Sequence, residues 1–161
     1  MFLPQRPNCT LGSLREQLLY PIDPADTLRS LPSDEDLLGA VELPLAGRLA
    51  ALDGGPGLDS VRDWTSMLSL GEQQRLGFAR VLVNAPRLAI LDEASSALDL
   101  ETERVMYSLL EKQERLTYVS VGHRPSLLEY HDSKLRLLEH GYRLEKNENY
   151  TRRYWDTGPV L

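Results

Sequence analysis

The sequence predicts an α/β protein built on a parallel sheet, and three observations carry that reading. Apolar residues Leu76, Ala79, Leu82 and Val83 fall at helical spacing between Gly71 and Asn84. The short apolar run Leu88–Leu91 follows, as expected of a strand buried on both faces. The alternation then repeats, with a helix from about Leu100 to Arg115 and a strand over Leu116–Val121. Helix, strand, helix, strand in this order implies parallel strands joined by right-handed crossovers. Ligands of such sheets sit at the carboxyl ends of the strands, where Asp92, Glu93 and His123 fall.

The other elements follow in chain order. Met1–Pro7 is extended and holds two prolines; Phe2, Leu3, Pro4 and Gln5 read as a strand end running into a loop. Thr10 is positioned to cap a helix over Leu11–Leu19, with Leu11, Leu14 and Leu18 on one face. Pro and Gly punctuate the next forty residues, which hold short helical pieces. One spans Ser33–Val41, with Ser33 as N-cap and Glu35 and Asp36 in its first turn. No strand pattern emerges between Thr10 and Val61, so residues 11–66 are predicted to form a small, mostly helical subdomain. Asp53-Gly54-Gly55-Pro56-Gly57 has enough glycine for a phosphate cradle, but no Lys-Ser or Lys-Thr follows, and it reads as a turn.

Pro86 stops the Gly71–Asn84 helix. Asp99 caps the next one, Glu101 and Glu103 favour its positive end, and the Val105/Leu109 and Met106/Leu110 pairs make its apolar stripe. A short helix follows Pro125. Lys134–Glu139 and Tyr142–Lys146 read as a hairpin about His140-Gly141. Residues 146–161 form a polar tail in which Tyr154 and Trp155 are the groups able to pack. The domain reading is 1–10 as one end of a core, 11–66 as the helical subdomain, 67–145 as the rest of the core, and the tail.

Composition sets limits. The 161 residues are enough for one domain with a real core, and 42% hydrophobic with 26% charged is a globular balance. A net charge of −6 without any Lys/Arg cluster argues against a nucleic-acid partner. The single cysteine, Cys9, excludes an internal disulfide and fits a reducing compartment. His123, His131 and His140 lack metal-ligand spacing with it. No uncharged apolar run approaches the ~18 residues needed to span a bilayer.

Four features carry chemistry, and each also has an ordinary explanation. Adjacent acids after an apolar strand suit Mg²⁺, which prefers oxygen ligands and retained waters. Asp92 would hold the ion and Glu93 would position or deprotonate an attacking water, as phosphoryl transfer requires. The same two acids also fit a strand end that faces solvent or caps a turn. Ser69 and Gly71 open a helix whose free N–H groups attract an anion, yet Ser with Glu72 in the first turn is also an ordinary cap. His123, after the strand TYVSVG, can donate to a terminal phosphate or be structural. Gln5 can ligate a metal or water through its amide oxygen, and alone means nothing.

Order and spacing decide among these. LSLGEQQR (Leu68–Arg75) resembles the signature motif of ATP-binding cassette (ABC) transporters, and LAILDE (Leu88–Glu93) resembles their Walker B. SALD (Ser96–Asp99) resembles the D-loop, VGHR (Val121–Arg124) the switch histidine and FLPQRP (Phe2–Pro7) the Q-loop. Five motifs in the family's order run from Phe2 to Arg124. Their flavour is similar to the branch holding peroxisomal fatty-acyl and cobalamin exporters and their bacterial relatives.

The resemblance implies an ABC-type P-loop NTPase fold, with ATP and Mg²⁺ as ligands. It implies that Asp92 and Gln5 serve the metal, that Glu93 is the general base, and that His123 holds the γ-phosphate. Ser69 and Gly71 would contact ATP held by a second nucleotide-binding domain, and Asp99 would cross that dimer interface. Gln5 would couple the site to a transmembrane domain, at the cytoplasmic face of a membrane. Two departures stand out. Leu70 occupies a position where the family usually has Gly, and its side chain limits the approach of backbone to phosphate. No G-x-x-x-x-G-K-S/T occurs in the 161 residues, so the strand and loop that cradle phosphate, and the aromatic that stacks on adenine, are expected upstream of Met1. The expectation is therefore a piece of a transporter that does not turn over ATP by itself and exposes apolar sheet surface. Two rival readings are a soluble cassette ATPase and a non-catalytic module that pairs with a complete cassette domain.

Overall fold

The computed structural model describes residues 1–22, 31–42, 58–148 and 150. Chain order gives β1 (Phe2–Leu3), β2 (Leu11–Ser13), α1 (Leu14–Leu19), α2 (Asp34–Glu42), β3 (Val61–Asp63), α3 (Trp64–Met67), α4 (Leu70–Asn84), β4 (Leu88–Asp92), α5 (Leu100–Glu111) and β5 (Thr117–Val121). A 3₁₀ turn at Pro125–Tyr130 and the strands β6 (Ser133–Leu138) and β7 (Gly141–Lys146) follow. The chain forms two compact units, Met1–Val121 and Gly122–Leu161. The predicted turn at Asp53–Gly57 and the tail residues Tyr154 and Trp155 lie outside the described residues.

The first unit is centred on a three-stranded parallel sheet of order β1-β4-β5. Leu3 pairs with Leu91, and Leu91 with Ser120, which sets one register across all three strands. The pleat sends Leu3, Ala89 and Leu91 to one face, where α4 and α5 cover them; all three are at most 2% exposed. Gly77 lets α4 come close, since a Cβ there would lie 2.5 Å from a Leu3 methyl. Phe78 of α4 and Tyr107 of α5 meet edge-to-face at 5.7 Å. Tyr107 also meets Tyr118, and its hydroxyl lies 2.9 Å from Ser120 Oγ.

The other face corrects the expectation of a strand buried on both sides. Leu88 and Ile90 are exposed, as are Phe2, Val119 and Val121. The stripe of α5 keeps the expected Met106/Leu110 pair but not Val105/Leu109. Glu103, Met106, Tyr107 and Leu110 are its buried residues, at positions i, i+3, i+4 and i+7, while Val105 faces out.

The region read as mostly helical, without a strand pattern, holds a two-stranded ribbon. β2 and β3 pair antiparallel, with Leu11 opposite Asp63 and Ser13 opposite Val61. This moves the start of α1 from Leu11 to Leu14. Its cap is Ser13, not Thr10: Ser13 Oγ accepts from Glu16 N–H, and Ser13 N–H donates back to Glu16 Oε2 at 2.6 Å. Leu11 consequently lies on the ribbon, 75% exposed, while Leu14 and Leu18 enter a core with Leu37, Leu58, Trp64, Leu68 and Leu76. Each such side chain contributes about 1.5–3 kcal/mol on full burial. Trp64 is anchored by its indole N–H, which donates to Gly12 O at 2.8 Å. The predicted helix at Ser33 forms as α2, with Ser33 Oγ accepting from Asp36 N–H at 3.2 Å.

α1 has six residues, too few to persist alone. Its final carbonyls are capped by side chains of α4. Arg80 donates to Gln17 O at 2.5 Å, and Asn84 donates to Leu18 O and Tyr20 O at 3.2 and 3.3 Å. These bonds satisfy acceptors that a helix end leaves open.

In the second unit β6 and β7 form the expected hairpin, with Leu135 opposite Leu144 and Leu137 opposite Tyr142. Gly141 takes φ +120°, a turn conformation that glycine allows. Asn147 donates to Leu128 O and His131 O at 2.7 and 2.9 Å, tying the hairpin's end to the 3₁₀ turn.

Candidate functional site

The carboxyl end of β4 organises the site. Asp92 is the last strand residue, and Glu93 follows with φ +49°. That left-handed conformation is unusual for a residue with a Cβ and costs of order 1–3 kcal/mol unless its surroundings hold it. Glu93 N–H donates to Val121 O at 2.9 Å, extending the β4–β5 ladder by one residue. Its carbonyl accepts from Ser96 N–H at 3.1 Å, closing a turn through residues 93–96. The chain then reaches Asp99, which caps α5.

The Asp99 carboxylate accepts from Thr102 N–H at 2.8 Å and from Thr102 Oγ1 at 2.9 Å. The Thr102 backbone bond first, then its hydroxyl, holds the carboxyl below the ordinary aspartate range. Ser95 turns inward and donates to Glu103 Oε2 at 2.7 Å. Glu103 is fully buried, so it serves this contact beyond the helix-dipole role expected from its position.

Ser69 stands at the start of α4 in a reciprocal cap. Its Oγ accepts from Glu72 N–H at 3.3 Å, and its N–H and Oγ both donate to Glu72 Oε2, at 2.8 and 2.7 Å. Gly71, in the first turn of α4, packs against the 94–98 loop: a Cβ there would lie 3.2 Å from Ala97 O. The glycine therefore has a packing reason on this chain's own account. Leu70 is the first residue of the helix.

Gln5 lies past the end of β1 and is exposed; its Nε2 reaches Ser96 Oγ at 3.4 Å. The structure thus brings the Gln5 segment, the Glu93 turn and the 94–98 loop together, with Gly71 behind that loop. Ser69 and Asp99 each serve the cap of their own helix. His123 is the second residue past β5 and belongs to the second unit.

The residue that joins these segments was not singled out in the sequence. Gln74, fully buried in α4, donates to Gln5 O at 2.8 Å and Glu93 O at 3.3 Å, and its Nε2 also lies 3.1 Å from Ser96 Oγ. It also accepts from Ala97 N–H at 2.9 Å. Its helical position beside Leu76 and Phe78 gave a weak hint, since a polar residue at a buried position must find partners.

Among the described residues no group of three or more His, Cys, Asp or Glu could hold a metal by itself. The oxygen donors expected from the sequence are the Asp92 carboxylate and the Gln5 amide oxygen. That sparse, all-oxygen set fits Mg²⁺, which takes one or two protein ligands and fills the rest with water and phosphate.

Comparison with known proteins identifies the family of the chain. The sequence profile of the ABC transporter family matches residues 49–96. The chain is 42% identical over 158 residues to ABC transporter D family member 2, chloroplastic, of Arabidopsis thaliana, covering 85% of the chain and 22% of that protein. It is 47% identical over 141 residues to an uncharacterized ABC transporter ATP-binding protein of Synechocystis, covering 88% of the chain and 20% of the relative. The mouse lysosomal cobalamin transporter is 44% identical over 139 residues, with 85% of the chain and 22% of that protein covered. In structure, the chain resembles a bacterial Atm1-family ABC exporter with ATP bound, at TM-score 0.66 and 29% identity over 83% of the chain and 23% of the exporter. The chain thus spans about a fifth of the length of these relatives. It has the P-loop NTPase fold of ABC ATPases in part, and it belongs to the ABC transporter family as a portion of a nucleotide-binding domain.

Proposed function

We propose that this chain supplies the water-activating half of one ATP site and the clamp for a second, in a transporter that hydrolyses ATP to move a substrate across a membrane. The observation that carries this reading is the convergence of the Gln5 segment, the Glu93 turn and the 94–98 loop at the carboxyl end of β4. Asp92 and Gln5 would hold Mg²⁺, which supplies charge neutralisation at the phosphates. Glu93 takes the proton of the attacking water, and His123 donates to the γ-phosphate. Ser69 and Gly71 present the start of α4 to ATP on a second nucleotide-binding domain, and Asp99 stands at the interface between the two. The Gln5 segment would face a transmembrane domain at the cytoplasmic side of the membrane. The P-loop that holds ATP comes from sequence outside these 161 residues.

The test joins the full chain, in frame, behind an ABC-type segment that carries G-x-x-x-x-G-K-S/T. MgATP hydrolysis by this fusion is expected to fall by about 10²–10⁴-fold with Glu93→Gln, the range of a lost general base. Undiminished hydrolysis would remove Glu93 from its role. The 161-residue chain alone is expected to be inactive, and turnover by it that Glu93→Gln abolishes would refute the need for an added P-loop.

A further inference from the structure

Gln74 uses its whole carboxamide on three chain segments, and its surroundings fix which way round the amide lies. Oε1 faces Ala97 N–H, which can only donate, while Nε2 faces the carbonyls of Gln5 and Glu93, which can only accept. A flipped amide would set oxygen against two carbonyl oxygens and NH₂ against an N–H. No water is needed to complete the set, and the residue has no surface exposure.

One of these bonds falls on the most unusual backbone of the site. Glu93 has φ +49°, and its peptide groups are held from two directions: its N–H by Val121 O and its carbonyl by Gln74 and Ser96 N–H. The direction in which the Glu93 side chain leaves the backbone follows from this conformation, because the Cα–Cβ bond is fixed by the backbone around it. The same amide fixes Gln5 O on one side and Ala97 N–H on the other.

We infer that Gln74 is a positioning residue for ATP hydrolysis. It keeps Glu93 in the left-handed turn that aims its carboxylate at the attacking water, and it makes the Gln5 segment, the Glu93 turn and the 94–98 loop move as one body. The inference rests on the reading of Glu93 as the base. It gives Gln74 no contact with nucleotide, so its effect falls on turnover and not on ATP affinity.

The experiment uses the fusion described above, with turnover expressed per ATP-binding site counted by bound nucleotide, so that loss of folded protein cancels. Gln74→Glu keeps the size and the acceptor for Ala97 N–H but turns an oxygen toward the Gln5 and Glu93 carbonyls. Gln74→Ala removes the amide and serves as the second variant. Both are expected to lower kcat by about 10²-fold, the scale of a misplaced catalytic group. KM for MgATP is expected to stay within about twofold. Each is then combined with Glu93→Gln. If Gln74 acts through Glu93, the second substitution adds nothing once the base is gone. An equal loss in both backgrounds, a raised KM with unchanged kcat, or unchanged turnover in both variants overturns the inference and leaves the role of Glu93 standing. Full turnover in Glu93→Gln alone overturns both.

Discussion

The two faces of the parallel sheet come from the same three strands and have different surroundings. On one, Leu3, Ala89 and Leu91 are buried under α4 and α5. On the other, Phe2, Ile90 and Val119 form a row across β1, β4 and β5 and stay 58%, 38% and 50% exposed. The side chains of the second face are as apolar as those of the first. Hydrophobic character therefore states what a strand can bury, and the layers packed against it decide what is buried. The covered face holds the first unit together, and the open face presents apolar area to solvent.

Paired substitutions test that difference. Leu91→Ala on the covered face is expected to cost about 2–5 kcal/mol in chemical denaturation, since it leaves a cavity in a packed layer. A cost no greater than that of Ile90→Ala would make the two faces equivalent. Next in size is Tyr107→Phe. It keeps the ring contacts with Phe78 and Tyr118 and removes the hydroxyl from Ser120, for an expected loss of about 0.5–1.5 kcal/mol. A neutral result would show that the covered face depends on apolar packing alone. Ile90→Thr on the open face is expected to change stability by less than about 0.5 kcal/mol. Its effect should appear in sedimentation, as less self-association of the 161-residue chain. If it destabilises like Leu91→Ala, the open face has a covering layer in solution.

Local chemistry made much of this structure legible in the sequence. Ser69 and Asp99 form the caps that their spacing announced, and the predicted hairpin forms with its two-residue turn at Glu139-His140, one residue before the expected His140-Gly141. The chain segments that carry Gln5, Glu93 and the 94–98 loop were each visible as motifs. What the sequence hid is non-local. Leu11 joins a strand because its partner is Asp63, about fifty residues on. The helical spacing of Leu11, Leu14 and Leu18 therefore overstated α1, although the Ser13–Glu16 capping box was there to be read. The run Leu88–Leu91 reads as buried on both faces, but burial on the second face needs a layer that the run cannot specify. Gln74 is one of two adjacent glutamines in the signature stretch, and only the folded chain shows which of them meets Gln5, Glu93 and Ala97.

The capping of α1 by Arg80 and Asn84 sets an order of assembly. A helix of six residues whose last carbonyls are completed by α4 cannot outlast it, so α1 should lose amide-exchange protection no later than α4 does. The bonds also close a loop of some sixty residues between Gln17 and Arg80. Once those ends are fixed, the entropy of closing the loop grows only slowly with its length, by about 0.6 kcal/mol for each doubling. Closing that loop therefore depends on α4, which carries both the site's central glutamine and the fastening of the loop's far end.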